Sequence, residues 1–86
     1  MRITFPDPGT LIELDPYLPS IAQQLAVDVE TNPTMTQVDL MVDGTIAGRR
    51  VGSGTIAWQP TPGRHVLRAV TESEASEIVQ IEVVPF

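Results

Sequence analysis

The chain has 86 residues, of which 42% are hydrophobic and 19% are charged, and its net charge at pH 7 is −6. A chain of this length forms one domain with a thin core, so a deep catalytic pocket that excludes water is difficult to build. The excess of carboxylates argues against a nucleic-acid partner, because phosphate binding depends on clustered positive charge. No apolar run approaches the roughly 18 residues of a membrane-spanning helix, so we expect no direct membrane insertion.

The absence of cysteine excludes structural disulfides, thiol catalysis and thiolate metal sites. Met1 and Arg2 lead straight into strand-like residues, without the pattern of a signal peptide. We therefore expect either a cytoplasmic protein or a fragment of a longer exported one, and composition does not separate these alternatives.

The first half of the chain is predicted to form four strands. Proline-rich turns interrupt the first two, because proline donates no ladder hydrogen bond. The third and fourth alternate regularly between apolar and polar residues, which is typical of half-buried antiparallel strands. A single helical turn is the most that residues 20–25 could hold. The predicted strands are Arg2 to Phe5, Thr10 to Leu14, Gln23 to Glu30 and Thr36 to Asp43.

The second half begins with a turn at Asp43 and Gly44, where glycine supplies the positive φ that tight turns require. The glycine-rich segment from Gly48 to Gly54 is predicted to be a loop that carries Arg49 and Arg50 as a solvated pair. Three further strands are predicted at Thr55 to Gln59, Arg64 to Thr71 and Glu77 to Val84.

These patterns predict an all-β fold, an immunoglobulin-like or fibronectin type III-like antiparallel β-sandwich of about seven strands, formed by residues 1–86 as one domain. Alternate side chains would meet in one layer between two sheets. Trp58 is expected to point inward and to be the largest single piece of this core.

The sequence indicates no catalytic, cofactor or metal site. The run Gly52-Ser53-Gly54 fits a dinucleotide-binding pattern, but strand-like residues follow where that motif needs a helix, so a hairpin loop is favoured. The chain also has no lysine, which excludes Walker-type phosphate loops.

His65 is the only histidine, and it shares a strand face with Leu67 and Ala69. A packed, hydrogen-bonded histidine is therefore favoured over a catalytic or zinc-binding one, because a zinc site groups three or four ligands. The acids of the amino-terminal region are interpreted as solvated edges rather than a calcium site, since they match no tight calcium loop. They are Asp7, Glu13 and Asp15.

Three apolar residues, Tyr17, Leu18 and Met41, are candidates for a modest exposed binding surface. Scattered exposed hydrophobic side chains are normal on soluble proteins, so the surface could equally have no binding role.

Three motifs in a fixed order are more informative than any one residue. Ile-Thr-Phe-Pro-Asp-Pro-Gly-Thr occupies residues 3–10, Val-Asp-Leu-Met-Val-Asp-Gly occupies 38–44, and Trp-Gln-Pro-Thr-Pro-Gly-Arg-His occupies 58–65. This order resembles the C-terminal domain of bifunctional penicillin-binding proteins, in particular the penicillin-binding protein 1C branch. One departure is Leu40, where many members place an aromatic residue. The residues that match the family motifs, with an expected structural role, are Asp43, Gly44, Trp58, Pro60, Pro62, Gly63 and His65.

The resemblance implies a membrane-anchored parent with glycosyltransferase and transpeptidase domains upstream, whose catalytic residues are absent here. It implies a non-catalytic accessory or interaction domain, without a cofactor, on the extracytoplasmic side of the membrane and within peptidoglycan synthesis. The implied partners are the upstream transpeptidase domain or another cell-wall protein, with peptidoglycan as a further candidate.

The alternative is an immunoglobulin-like spacer or carbohydrate-contacting module of another secreted bacterial protein. A carbohydrate binder should present coplanar exposed aromatic rings. The chain offers few of them, and two are expected inside the core. Its aromatic residues are Phe5, Tyr17, Trp58 and Phe86.

Overall fold

A computed structural model describes residues 1–32 and 36–85 of the chain. Within these residues eight β-strands form two sheets, and a single 3₁₀ turn, Ser20–Ala22, is the only helical element. The strands are β1 (Arg2–Phe5), β2 (Leu11–Leu14), β3 (Leu25–Glu30), β4 (Gln37–Val42), β5 (Thr45–Val51), β6 (Gly54–Trp58), β7 (Gly63–Val70) and β8 (Val79–Pro85).

The two sheets have three and five strands. Their strand orders are β1-β3-β6 and β2-β8-β7-β4-β5. Neighbouring strands are antiparallel except for β2, which runs parallel to β8. Residues between Phe5 and Leu11 carry the chain from one sheet to the other, so β1 and β2 lie on opposite layers. This arrangement confirms the predicted sandwich.

The core is the layer of side chains between the two sheets. The alternation of each strand decides its membership, because successive residues of a strand point to opposite faces. Leu40 is fully buried in this layer. It occupies the position at which many members of the resembled family have an aromatic residue. The alternation predicted for β3 and β4 is confirmed by their burial. The buried core consists of Val27, Val29, Val38, Leu40, Val42, Ile56, Leu67, Ala69, Val79, Ile81 and Val83.

The loop predicted from Gly48 to Gly54 is wrong in its first half, because strand β5 continues to Val51. Gly48 lies within β5, opposite Leu40, beside a bulge between β4 and β5. A side chain at this position would collide with the Ile56 side chain of the facing sheet. Gly48 therefore permits a close approach of β5 to β6, which is a packing role rather than a sign of flexibility.

The prediction that Arg49 and Arg50 form a solvated loop pair is also wrong. Both lie on β5, and Arg49 Nε donates to an Asp39 carboxylate oxygen at 3.0 Å. Arg50 donates to the carbonyl oxygens of Gly52 and Thr55, each at 3.0 Å, and so braces the connection between β5 and β6. That connection leads into a strand, which agrees with a turn and not with a dinucleotide loop.

Three connections between strands lie at one end of the sandwich, namely β2–β3, β4–β5 and β6–β7. Leu14, the last residue of β2, is level with Pro85, and Leu25, the first residue of β3, pairs with Trp58, the last residue of β6. The β4–β5 turn is at the same end, because the Asp43 amide donates to the Val66 carbonyl at 2.9 Å. We call this the clasp end, and it holds all seven family-motif residues.

Candidate functional site

The family-motif residues from separate parts of the sequence meet at the clasp end. The Asp43 carboxylate, in the β4–β5 turn, lies 2.6 Å from Nδ1 of His65 on β7. The other nitrogen of His65, Nε2, lies 2.7 Å from the carbonyl oxygen of Thr61, in the loop before β7. We call the set Asp43, Trp58, Thr61 and His65 the clasp. It ties the β4–β5 turn and the β6–β7 loop to the same strand.

The hydrogen bonds of His65 indicate its protonation state. Both ring nitrogens face an oxygen that can only accept, a carboxylate on one side and a carbonyl on the other. Both can be satisfied only when both nitrogens carry a proton. Burial by itself lowers the pKa of His65, but the hydrogen bonds to Asp43 and Thr61 outweigh burial, and the pKa is raised above its ordinary value. The geometry therefore favours the imidazolium form of His65 at pH values below this raised pKa.

Asp43 is held from two directions. Its carboxylate accepts a hydrogen bond from the His65 ring and a second from the Val66 amide at 2.8 Å. These two bonds, that from His65 first, lower the pKa of Asp43 below its ordinary value. Asp43 and Gly44 both have positive φ, 53° and 83°, as a type I′ turn requires. The predicted tight turn is confirmed, and Asp43 also has an electrostatic role there.

Trp58 completes the clasp from the three-stranded sheet. Its ring meets the His65 ring edge-on, with centroids 5.1 Å apart and an interplanar angle of 76°. Trp58 is half-buried and packs against the core, so the expected inward orientation is confirmed, whereas the largest fully buried side chains are Leu40 and Leu67 and not Trp58. Such aromatic contacts add about 0.5–1.5 kcal/mol beyond the area that they bury.

The remaining motif residues shape the loop that brings Thr61 to His65. Pro60 is buried beneath the loop, whereas Pro62 is exposed. Gly63 starts β7 with a φ of 124°, a conformation that other residues rarely adopt. The backbone therefore needs glycine at the point where the loop enters β7.

The order Thr61, His65, Asp43 has the composition of a nucleophilic triad, with Thr61 Oγ1 at 3.3 Å from His65 Nε2. A general base needs a free lone pair on that nitrogen. The nearer neighbour of Nε2 is the Thr61 carbonyl oxygen at 2.7 Å, which can only accept a hydrogen bond, so Nε2 is placed to donate rather than to act as a base. His65 is also only 9% exposed. The geometry thus favours the packed, hydrogen-bonded histidine that the sequence predicts, and it adds the carboxylate and hydroxyl neighbours that the sequence did not indicate.

Within residues 1–32 and 36–85, no group of three or more potential ligand side chains could hold a metal ion. Asp7, Glu13 and Asp15 are exposed there. The part of the chain that the structure describes also has no helix long and apolar enough to cross a bilayer.

Beside the clasp, residues 15–24 form an exposed loop, which we call the tyrosine loop. The side-chain amide of Gln23 closes it, because it accepts from the Asp15 amide at 2.6 Å and donates to the Asp15 carbonyl at 2.8 Å. A further bond, from the Tyr17 amide to the Asp15 carboxylate at 2.9 Å, tightens the first turn. The loop presents Tyr17, 91% exposed, together with Leu18 and Ile21.

The predicted surface of Tyr17, Leu18 and Met41 is divided between two places. Tyr17 and Leu18 lie together in the tyrosine loop, whereas Met41 lies on the outward side of β4. Phe5 is 45% exposed on β1, and Phe86 lies outside the described residues. Thr61 was not expected to have a role, and Gln23 was predicted to start the third strand, whereas β3 begins at Leu25 and Gln23 closes the tyrosine loop. The prolines on both sides of Thr61 were the one signal that pointed to an ordered loop there.

A family model described as the Penicillin-Binding Protein C-terminus Family matches residues 1–81. The chain belongs to this family. The match covers every residue of the clasp. The 1C branch stays a prediction, because the match is to the family as a whole.

Among solved structures, the penicillin-binding protein C-terminal domain is similar to the chain described as "Structures of Clostridium thermocellum CbhA fibronectin(III)-like modules". The TM-score is 0.72 at 20% sequence identity, over 98% of this chain and 95% of that one. At this identity the likeness establishes the fold, a fibronectin type III-like sandwich. The comparison with curated protein sequences gave no match.

Proposed function

We propose that this domain is a non-catalytic accessory domain of a bifunctional peptidoglycan synthase, held on the extracytoplasmic side of the membrane by its parent. Membership of the penicillin-binding protein C-terminus family is the observation that carries the proposal. The parent would supply glycosyltransferase and transpeptidase activities from upstream domains. This domain would contribute contacts, either with the upstream transpeptidase domain or with another cell-wall protein.

The use of the motif residues supports this role. The polar groups of Asp43 and His65 are directed at each other and at backbone atoms. His65 is 9% exposed and both of its ring nitrogens have protein partners, so it has little capacity left for a substrate. Asp43 and His65 would therefore stabilise one end of the sandwich by their hydrogen bonds.

The alternative function is contact with carbohydrate, and the positions of the aromatic side chains argue against it. Stacking on a sugar chain calls for several exposed rings in one plane. In the described part of the chain Tyr17 is fully exposed, but Trp58 is half-buried against His65 and Phe5 lies on a different sheet from the clasp strand β7. A single tyrosine offers a weak platform.

The role is tested by deleting residues 1–86 from the full-length parent. Glycan polymerisation and peptide cross-linking are then measured on lipid-linked substrate, alongside the intact enzyme. We expect both reactions to continue, because the proposal places their catalytic groups upstream. Turnover of the lipid-linked substrate by the isolated domain would overturn the proposal.

Direct wall contact is tested with purified peptidoglycan sacculi. The isolated domain is sedimented with sacculi, and Tyr17→Ser is the matched variant, since Tyr17 is the most exposed aromatic residue. We expect no retention of either protein, which would favour a protein partner. Retention that Tyr17→Ser abolishes would instead establish the carbohydrate-contacting alternative.

A further inference from the structure

The β4–β5 turn contains a pair of residues, Asp43 and Gly44, that is prone to chemical change. An aspartate that precedes glycine isomerises readily, because glycine has no side chain to hinder its amide nitrogen from attacking the neighbouring carboxyl group. The other four aspartates and the single asparagine of the chain precede either proline, which carries no N–H, or a bulky strand residue. They are Asp7, Asp15 and Asn32 before proline, Asp28 before Val29 and Asp39 before Leu40.

The isomerisation needs no reactant other than water. The Gly44 nitrogen attacks Cγ of Asp43, and the proton of this nitrogen and the carboxyl OH leave together as water, so that a five-membered succinimide forms. A water molecule then opens the ring at either of its two carbonyls. Opening at one carbonyl restores aspartate. Opening at the other yields isoaspartate, in which the main chain runs through the former side-chain carbonyl, without a change in mass or oxidation state.

Burial does not protect this pair. Asp43 and Gly44 are both exposed, and the Asp43 side chain keeps 48% of its surface in solvent. Among the described residues beyond its chain neighbours, none has an atom within 4 Å of the position that a side chain at Gly44 would occupy. Water therefore reaches the turn freely, and any protection has to come from the way in which the Asp43 carboxylate is held.

Both oxygens of the Asp43 carboxylate are held by strand β7. Oδ2 lies 2.6 Å from Nδ1 of His65, and Oδ1 accepts a hydrogen bond from the Val66 amide at 2.8 Å. The Val66 carbonyl in turn accepts a hydrogen bond from the Asp43 amide at 2.9 Å. These contacts direct the carboxyl group across the sheet to β7 instead of along its own turn.

The same hydrogen bonds oppose the chemistry of the attack. A carboxyl group loses water to an amide nitrogen only in its protonated form, because a carboxylate already carries the negative charge that the attack would add. The hydrogen bonds, that from His65 first, lower the pKa of Asp43 and so keep the group ionised. Ring closure would require the carboxyl group to leave both His65 and Val66 and to take up a proton.

We propose that Asp43–Gly44 is an isomerisation site and that His65 suppresses the reaction by holding the Asp43 carboxylate on β7. The turn and the clasp protect each other. Isoaspartate would insert a methylene group into the main chain of the turn and would reposition the free carboxylate that His65 binds, so a chain that isomerises would lose the clasp. The proposal is independent of the proposed function.

The test is prolonged incubation of the isolated domain at physiological temperature and neutral pH. Isoaspartate is quantified by enzymatic methylation and is located by mass spectrometry of peptide fragments. The wild-type chain unfolded in urea gives the rate without protection, and we expect the folded chain to be more than about tenfold slower. His65→Phe keeps a ring against Trp58 but removes the bond to Asp43. It should isomerise about tenfold faster than the folded wild-type chain, the effect of losing one hydrogen bond to a charged group.

Trp58→Ala is the matched control, because it weakens the fold but leaves both bonds of the Asp43 carboxylate in place. Circular dichroism gives the unfolded fraction of each variant, and the isomerisation of that fraction is subtracted by using the rate of the unfolded chain. The corrected rate of Trp58→Ala should then match that of the wild-type chain. His65→Gln serves the same purpose if the phenylalanine variant does not fold.

Equal corrected rates for Trp58→Ala and the His65 variant would overturn the proposal, since overall stability would then be the source of protection. A His65 variant as slow as the wild-type chain would also overturn it, because the turn conformation alone would then protect the pair. So would a folded wild-type chain that isomerises as fast as the unfolded one.

Discussion

The clasp and the outward side of the five-stranded sheet, which we call the outer face, use polar residues in opposite ways. At the clasp, Asp43 and His65 form hydrogen bonds with each other and with the backbone. On the outer face, Arg64 and Glu82 are register partners without an ion pair in the described chain. We propose that the motif residues act mainly in stability, whereas the outer face leaves charged side chains available to solvent.

The largest expected effect on stability is that of removing the Trp58 ring from the clasp. Trp58→Ala should lower the free energy of unfolding by about 3 kcal/mol, near the low end for large aromatic residues because Trp58 keeps some exposure. Urea unfolding measures the change. Tyr17→Ala is the matched control, and it should cost less than about 0.5 kcal/mol because Tyr17 is 91% exposed. Equal effects of the two variants would contradict the distinction between the clasp, which stabilises the fold, and the exposed tyrosine loop.

The next largest effect on stability is expected from the hydrogen-bonded pair of Asp43 and His65. His65→Gln and Asp43→Asn should each cost about 1–2 kcal/mol, since each leaves a partly buried hydrogen-bonding group without its charged partner. The double variant should cost less than the sum of the two, because the residues act as one unit. Asp39→Asn, which removes the exposed pair with Arg49, is the control and should cost about 0–1 kcal/mol. Strict additivity at the clasp would show that the pair contributes no coupling.

A smaller effect concerns pH. The pKa of His65 is raised in the folded state, so its contribution to stability is present below its unfolded pKa of about 6.5 and is lost as pH rises through the raised value. The pKa of Asp43 is lowered, so its contribution is present above about 3.8 and is lost as pH falls through the lowered value. The clasp is therefore strongest between these limits.

Urea unfolding from about pH 4 to pH 9 checks this, with His65→Gln as the comparison. The wild-type chain should lose stability on the alkaline side of the window relative to the variant. A His65 pKa at or below its ordinary value, measured by the NMR titration of its ring protons, would contradict the imidazolium assignment.

The smallest expected effect belongs to the outer face. Arg68→Glu and Ile46→Thr should change the unfolding free energy of the domain by less than about 0.5 kcal/mol, because both side chains are exposed. Thermal melts at low protein concentration measure this. A cost as large as that of the clasp variants would mean that the outer face stabilises the fold and would remove the contrast between the two regions.

The sandwich was predictable because alternation of apolar residues reports which side of a strand is buried. Val27, Leu40 and Leu67 follow it and are fully buried. Strand β5 was not predictable in this way, because Gly48 is required there by the close approach of Ile56. Glycine has no side chain to show a period, so a glycine needed for packing and a glycine in a loop look the same in sequence.

Of the clasp, the sequence indicated a buried histidine and a tight turn, but not their contact. Asp43 and His65 are 22 positions apart, and their meeting depends on the register of β4 against β7. No local rule encodes that register. The role of Thr61 was not predictable for the same reason, since its carbonyl oxygen reaches His65 only in the folded loop before β7.

By itself, the sequence indicated which side chains of the alternating strands are buried and where the Asp43–Gly44 turn lies, because both depend on neighbouring residues and their intrinsic geometry. The tertiary structure alone decided that Asp43, Trp58, Thr61 and His65 form a clasp, that β5 is a strand and which charged residues share the outer face. These features arise from residues far apart in the chain, which only strand register brings side by side.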